Sequence, residues 1–137
     1  MLVLMKTLHL FGLMQGAAGG MAGAMVAVQA KRAGGPPPPA LIALRQTFAL
    51  VTLIGVLLLW ATGLWMWLVD YGGAMLGTAF ALKILAAFII LAVVIAARVA
   101  MARTPPGSPP PGWLQRAGPL SGLLTYVTVA LAVYVFR

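Results

Sequence analysis

Long apolar stretches, broken by short polar or proline-rich segments, organise this chain. They run near residues 2–30, 40–69, 75–102 and 113–136. Each exceeds the about 20 residues needed to cross a bilayer core. None alternates with the period of two of a half-buried strand. In lipid a spanning backbone must satisfy its own hydrogen bonds, which continuous apolar runs do as helices. The pattern therefore predicts an all-α fold, a single integral membrane domain over residues 1–137 built as a four-helix bundle.

The breaks are equally legible. Lys31-Arg32-Ala33-Gly34-Gly35 and the run from Pro36 to Pro39 end the first helix. Asp70-Tyr71-Gly72-Gly73 predicts a tight turn. Arg103 to Ser108, followed by Pro109 to Pro111, forms the third connection. Both proline runs read as stiff polyproline spacers. The first apolar run is too long for a signal peptide, and most of its charge follows rather than precedes it, so it reads as a retained span. Residues 1–70 and 71–137 both read helix, basic end, proline-rich loop, helix. Internal duplication would give this pattern. Two unrelated hairpins would give it too, and no local motif recurs between the halves.

Composition sharpens the picture. The chain is 63% hydrophobic and 7% charged, whereas soluble domains carry about 25% charged residues. Nine basic residues stand against one acidic residue, for a net charge of +8. Most flank apolar segments, where they set membrane topology, so they signal no nucleic-acid partner. Lys31, Arg32, Arg45, Arg98, Arg103 and Arg116 lie around the two proline-rich loops; Lys6, Asp70 and Arg137 lie at the opposite ends. This asymmetry places the proline-rich loops in the cytoplasm and both termini in the periplasm of a bacterial inner membrane. Asp70 is the single side-chain carboxylate, His9 the single histidine, and there is no cysteine. Paired-carboxylate hydrolysis, multi-histidine metal sites within one chain, disulfides and iron–sulfur clusters are excluded.

At about 100° per residue, Met5, His9, Gly12, Gly16, Gly19, Gly20 and Gly23 fall on one face of helix 1. Gly12, Gly16 and Gly20 form small-xxx-small steps that admit a close helix or the flat edge of a porphyrin. His9 then points into the bundle, roughly 9–12 Å below the end at 1.5 Å per residue. It reads either as an interhelical hydrogen-bonding histidine or as a metal ligand. Helix 2 presents Arg45, Phe48, Thr52, Gly55, Gly63, Met66 and Asp70 on an inward face. Met66 is a core residue or a haem contact, and Asp70 a turn residue. Lys83 lies within helix 3, between Phe80-Ala81-Leu82 and Ile84-Leu85-Ala86. A lysine inside a span costs roughly 2.5–3.5 kcal/mol on insertion scales. It snorkels to the surface, pairs with Asp70, anchors an anionic group such as a propionate, or ligates a metal as a neutral amine. His9 and Lys83 fall in similar layers of the bundle.

Ser121, Thr125 and Thr128 share a helix-4 face suited to hydrogen bonds across helices, while Tyr126 points away and reads as packing. Met14, Met21 and Met25 offer soft thioethers that suit Cu(I), but are equally ordinary packing residues. Trp60, Trp65, Trp67 and Trp113 read as packing residues and interfacial anchors.

Lys6-Thr7-Leu8-His9 resembles the Lys-x-Leu-His opening of the small four-helix HemJ-type protoporphyrinogen oxidases and their CopD-like relatives. Residues 59–64, with Thr62-Gly63, look like helix 2 of the CopD-like branch, and Phe80-Ala81-Leu82-Lys83 is similar to the helix-3 segment. Gly118-Pro119 is a loose similarity at helix 4. The resemblance implies haem b bound by His9 and Lys83. This chain lacks the further charged and histidine-containing segments of the oxidases. The resemblance thus implies a haem-binding relative, or a subunit that has lost its cofactor. On the first reading His9 is the axial metal ligand, Lys83 and the Gly12, Gly16 and Gly20 face complete the cofactor site, and the role is electron transfer or porphyrin oxidation. On the second the chain is a non-catalytic accessory subunit of a larger respiratory or photosynthetic complex. Its partners are lipid and either further copies of itself or other membrane subunits.

Overall fold

The computed structural model describes residues 1–105, 108 and 111–135, excepting the side chains of residues 115, 118 and 119. Among the described residues no strand forms. The elements are α1 (Leu2–Arg32), α2 (Pro39–Trp65), α3 (Thr78–Arg103) and α4 (Gly112–Val135), and a five-residue π-helical turn, Met66–Asp70, extends α2. A helix thus occupies most of each predicted apolar run, and the π-helical turn makes a fifth helical element where four helices are predicted. Phe136, Arg137 and, in the third connection, Pro106, Gly107, Pro109 and Pro110 lie outside the described residues.

Each boundary has a local cause. Pro38 takes polyproline backbone angles (φ −56°, ψ 146°), and Pro39 starts α2, where its missing N–H would have had no helical partner. Lys31 and Arg32 close α1, and Arg103 closes α3, where positive charge opposes the partial negative charge of a helix C-terminus. Tyr71 N–H donates to the Met66 carbonyl, the i→i+5 bond of a π turn. Gly72 (φ 59°) and Gly73 (φ 72°) then adopt left-handed backbone and stop the helix at the predicted turn. The Trp67 indole N–H spans this turn to the Ala74 carbonyl at 2.9 Å. Gly77, at φ 90°, delays α3 to Thr78, so Met75 and Leu76 belong to the connection rather than to the helix.

The helices run alternately up and down. α1 packs closely on α2, and α3 packs on α4, while the two hairpins touch more sparsely. Both proline-rich loops consequently lie at one end, with the Asp70 turn at the other. Interior positions are few: among the described residues Val26, Val56, Phe80 and Ala86 are the buried apolar side chains, and Thr62 the buried polar one. Large apolar side chains such as Leu10, Phe11, Leu57, Phe88 and Leu123 are exposed all round the molecule. That distribution suits a hydrocarbon solvent, not water. Leu2–Arg32, Pro39–Asp70 and Thr78–Arg103 are long and apolar enough to cross a membrane. The described apolar part of α4, Leu120–Val135, is shorter than a span. Among the described residues the structure thus supports a membrane protein with three candidate spans.

Candidate functional site

The contact between α1 and α2 is a run of missing side chains. A methyl on Gly12 would stand 2.9 Å from the Gly55 carbonyl oxygen and 3.2 Å from Leu59 Cγ. One on Gly19 would stand 3.0 Å from the Phe48 carbonyl oxygen. One on Gly55 would run into the Gly16 backbone nitrogen and lie 2.8 Å from the Gly12 oxygen. Gly16 faces Val56, and Gly23 faces Phe48, at looser contact. Each turn climbed on α1 meets a turn descended on α2, so the helices are antiparallel and in fixed register. Backbones can approach this closely only where small residues line both faces.

Gly20 does not belong to this seam. A side chain there would meet nothing within 4 Å. The expected step from Gly12 through Gly16 to Gly20 drifts by about 80° at 3.6 residues per turn, whereas Gly19 returns to within about 20° of Gly12. The seam is therefore Gly12, Gly16, Gly19 and Gly23. It is filled by α2, so the face formed by Gly12 and Gly16 offers no slot for a porphyrin.

At the upper end of the seam His9 takes the place of a glycine. Its Nδ1 lies 2.8 Å from Thr62 Oγ1. Thr62 Oγ1 is itself 2.6 Å from the Leu58 carbonyl oxygen. Two oxygens this close require a proton between them, and the carbonyl can only accept. The hydroxyl proton is thus directed to the Leu58 carbonyl, with the Leu59 carbonyl a longer second acceptor at 3.3 Å, and the hydroxyl accepts from Nδ1–H. This network assigns the imidazole the tautomer with a lone pair on Nε2. Gly63, next to Thr62, gives the ring its seat: a methyl there would stand 3.4 Å from His9 Cε1.

Lys83 comes from the opposite hairpin. Phe80, one turn before it, is buried against Trp67, with ring centroids 6.0 Å apart. One turn after it, the Ala87 carbonyl accepts from the Trp60 indole N–H at 3.4 Å, and Phe88 meets Trp60 edge-on at 6.4 Å. Trp60 on α2 and Trp67 in the π turn that extends it flank Gly63, so this docking sets Lys83 at the level of Gly63 and His9. Lys83 is half-buried. The layer shared by His9 and Lys83, expected from depth, is therefore present.

Other expected positions resolve more simply. Asp70 ends the π turn exposed, as a turn residue. Met66 is half-buried, while Met14, Met21 and Met25 face outward. Thr125 donates to the Ser121 carbonyl and Thr128 to the Leu124 carbonyl, within α4 rather than across helices. Tyr126 is exposed rather than packed. The side chains of Gly118-Pro119 lie outside the described residues. Among the described residues no cluster of three or more His, Cys, Asp or Glu exists.

Thr62, part of the helix-2 resemblance, is the residue whose contact with His9 the sequence pattern did not bring out. Its signal was a hydroxyl in the middle of an apolar helix, next to a glycine and in the same membrane layer as the single histidine. No protein-family model, curated protein or solved structure matches the chain at a significant level.

Proposed function

We propose that this chain is a membrane b-type haem protein of the bacterial inner membrane, with an electron-transfer or porphyrin-oxidising role and with His9 Nε2 as an axial ligand. The observation that carries the reading is the His9–Thr62–Leu58 chain of hydrogen bonds. Ligating histidines characteristically donate their other ring N–H to a fixed acceptor, which sets the tautomer and the ring orientation. Lys83, at the same level, supplies either a second nitrogen or a positive charge for a propionate. The donor set thus fits haem. The glycines fit it differently from the first expectation: Gly12 and Gly16 hold α2, Gly20 lies off that face, and none of them is assigned to the cofactor. When bound, haem supplies a one-electron redox centre. The protein's part is to fix the imidazole, hold a counter-charge and keep water away. Basic residues around the proline-rich loops support a cytoplasmic position for that end and a periplasmic one for the termini.

A second reading has its own support. His9 is already hydrogen-bonded to Thr62, and the exterior is apolar on all sides. Both features suit a non-catalytic subunit of a larger respiratory or photosynthetic assembly or of a homo-oligomer.

Absorption spectra of oxidised and dithionite-reduced protein, purified in mild detergent from haem-supplied cells, separate the two. The haem reading expects a Soret band and sharp reduced α and β bands, lost in His9→Ala at unchanged helix content. A featureless spectrum from well-folded protein overturns it and leaves the subunit reading.

A further inference from the structure

The α3–α4 hairpin carries an open furrow of about 730 Å³. It begins at Phe88, near the middle of α3, and ends at Arg103 and Trp113, where α3 stops and α4 starts. Ala92, Ala96 and Ala100 line it at successive turns. Three short side chains spaced by four residues leave a continuous depression along one helix face. Apart from Arg103 its lining is apolar.

Two features identify an occupant. The first is length. From Phe88 to Arg103 the helix rises about 22 Å at 1.5 Å per residue. Half of a bilayer measures about 20–22 Å with its headgroup layer, of which about 15 Å is hydrocarbon, so the furrow runs from the headgroup level to the midplane. The second is charge. The lone charged residue of the lining, Arg103, stands at the headgroup end, exposed and beside Trp113, an indole suited to the interface. An apolar channel one leaflet deep, with a cation at its mouth, matches one acyl chain and one phosphate.

We propose that this furrow is a binding site for an anionic phospholipid, with an acyl chain along Ala92, Ala96 and Ala100 and the headgroup phosphate on Arg103. The guanidinium suits a phosphate because its N–H groups form a planar fork.

Native mass spectrometry of delipidated protein in detergent tests the site. Phosphatidylglycerol and phosphatidylcholine with identical acyl chains serve as probes. Phosphatidylglycerol is expected to bind more tightly. Arg103→Gln should reduce that preference by about five-fold, the effect of one basic residue near an anionic headgroup. Arg103→Lys should keep most of it, and Arg32→Gln, on the other hairpin, should leave it intact. Ala96→Leu fills the furrow and should weaken both lipids. Each variant is required to keep wild-type helix content. If Arg103→Gln fails to fold, Arg103→Lys and Ala96→Leu decide the matter. Equal binding of the two lipids overturns the proposal, as does an equal loss in Arg32→Gln, which marks diffuse attraction. Ala96→Leu without effect overturns it too. So does a two-chain species that Ala96→Leu dissociates, because the occupant is then a second copy.

Discussion

His9 Nδ1 lies 2.8 Å from Thr62 Oγ1, and the same oxygen lies 2.6 Å from the Leu58 carbonyl. A residue at the start of the chain is thereby aimed by the backbone of a different helix, through one hydroxyl. The imidazole cannot rotate or exchange tautomers without breaking this chain.

Thr62→Val removes the hydroxyl and keeps the shape. It should destabilise the protein by about 1–2 kcal/mol, since a half-buried N–H loses its acceptor. Nitrogen-15 NMR of the His9 ring should show Nδ1 protonated in the wild type and a tautomer mixture in Thr62→Val, with Thr62→Ser restoring the original state. Finding the proton on Nε2 in the wild type would refute the assigned network.

The glycine seam makes a sharper contrast. Gly55→Ala drives a methyl into the α1 backbone and should cost about 1–3 kcal/mol, the range for overpacking a well-packed interior. Gly20→Ala meets open space and should be neutral or stabilising by up to about 1 kcal/mol, from the helix preference of alanine over glycine. Unfolding titrations in mixed micelles measure both. Equal damage from the two substitutions would contradict the seam.

Gly63 tests the seat of the ring. Gly63→Val should push the imidazole off Thr62 while leaving the helices formed. The His9 nitrogen-15 pattern of Gly63→Val should then resemble that of Thr62→Val. An unchanged pattern would show that the ring does not rest on Gly63.

Phe80 locks α3 to α2 through Trp67. Phe80→Ala should loosen the seam between hairpins and raise the rate at which amine-reactive reagents modify Lys83. Trp60→Phe, which removes a 3.4 Å hydrogen bond, should cost no more than about 1 kcal/mol. Unaltered Lys83 labelling in Phe80→Ala would count against the docking that positions the lysine.

The extent of the helices and the positions of their breaks were legible because apolar runs, prolines and glycines act locally. The pairing of His9 and Lys83 in one layer was legible because depth follows from residue count alone. Angular position drifts with 3.6 residues per turn, and the small-xxx-small pattern hid that drift, so it favoured Gly20 over Gly19. Thr62 was hidden because its bond joins residues far apart in the chain. The π turn carries a Trp67 bond over to Ala74, and no periodicity encodes that. Thr125 and Thr128 chose their own helix because a carbonyl four residues back is always within reach of a threonine hydroxyl.

The contrast between the tight α1–α2 seam and the sparse contact between hairpins also bears on the order of assembly. Chains emerge from the ribosome N-terminus first. Every group that orients the imidazole, from His9 to the Leu58 carbonyl, is synthesised before the Asp70 turn. The first hairpin can therefore aim its histidine while Lys83 has yet to be translated. The second hairpin then arrives at a finished surface and adds the cation last.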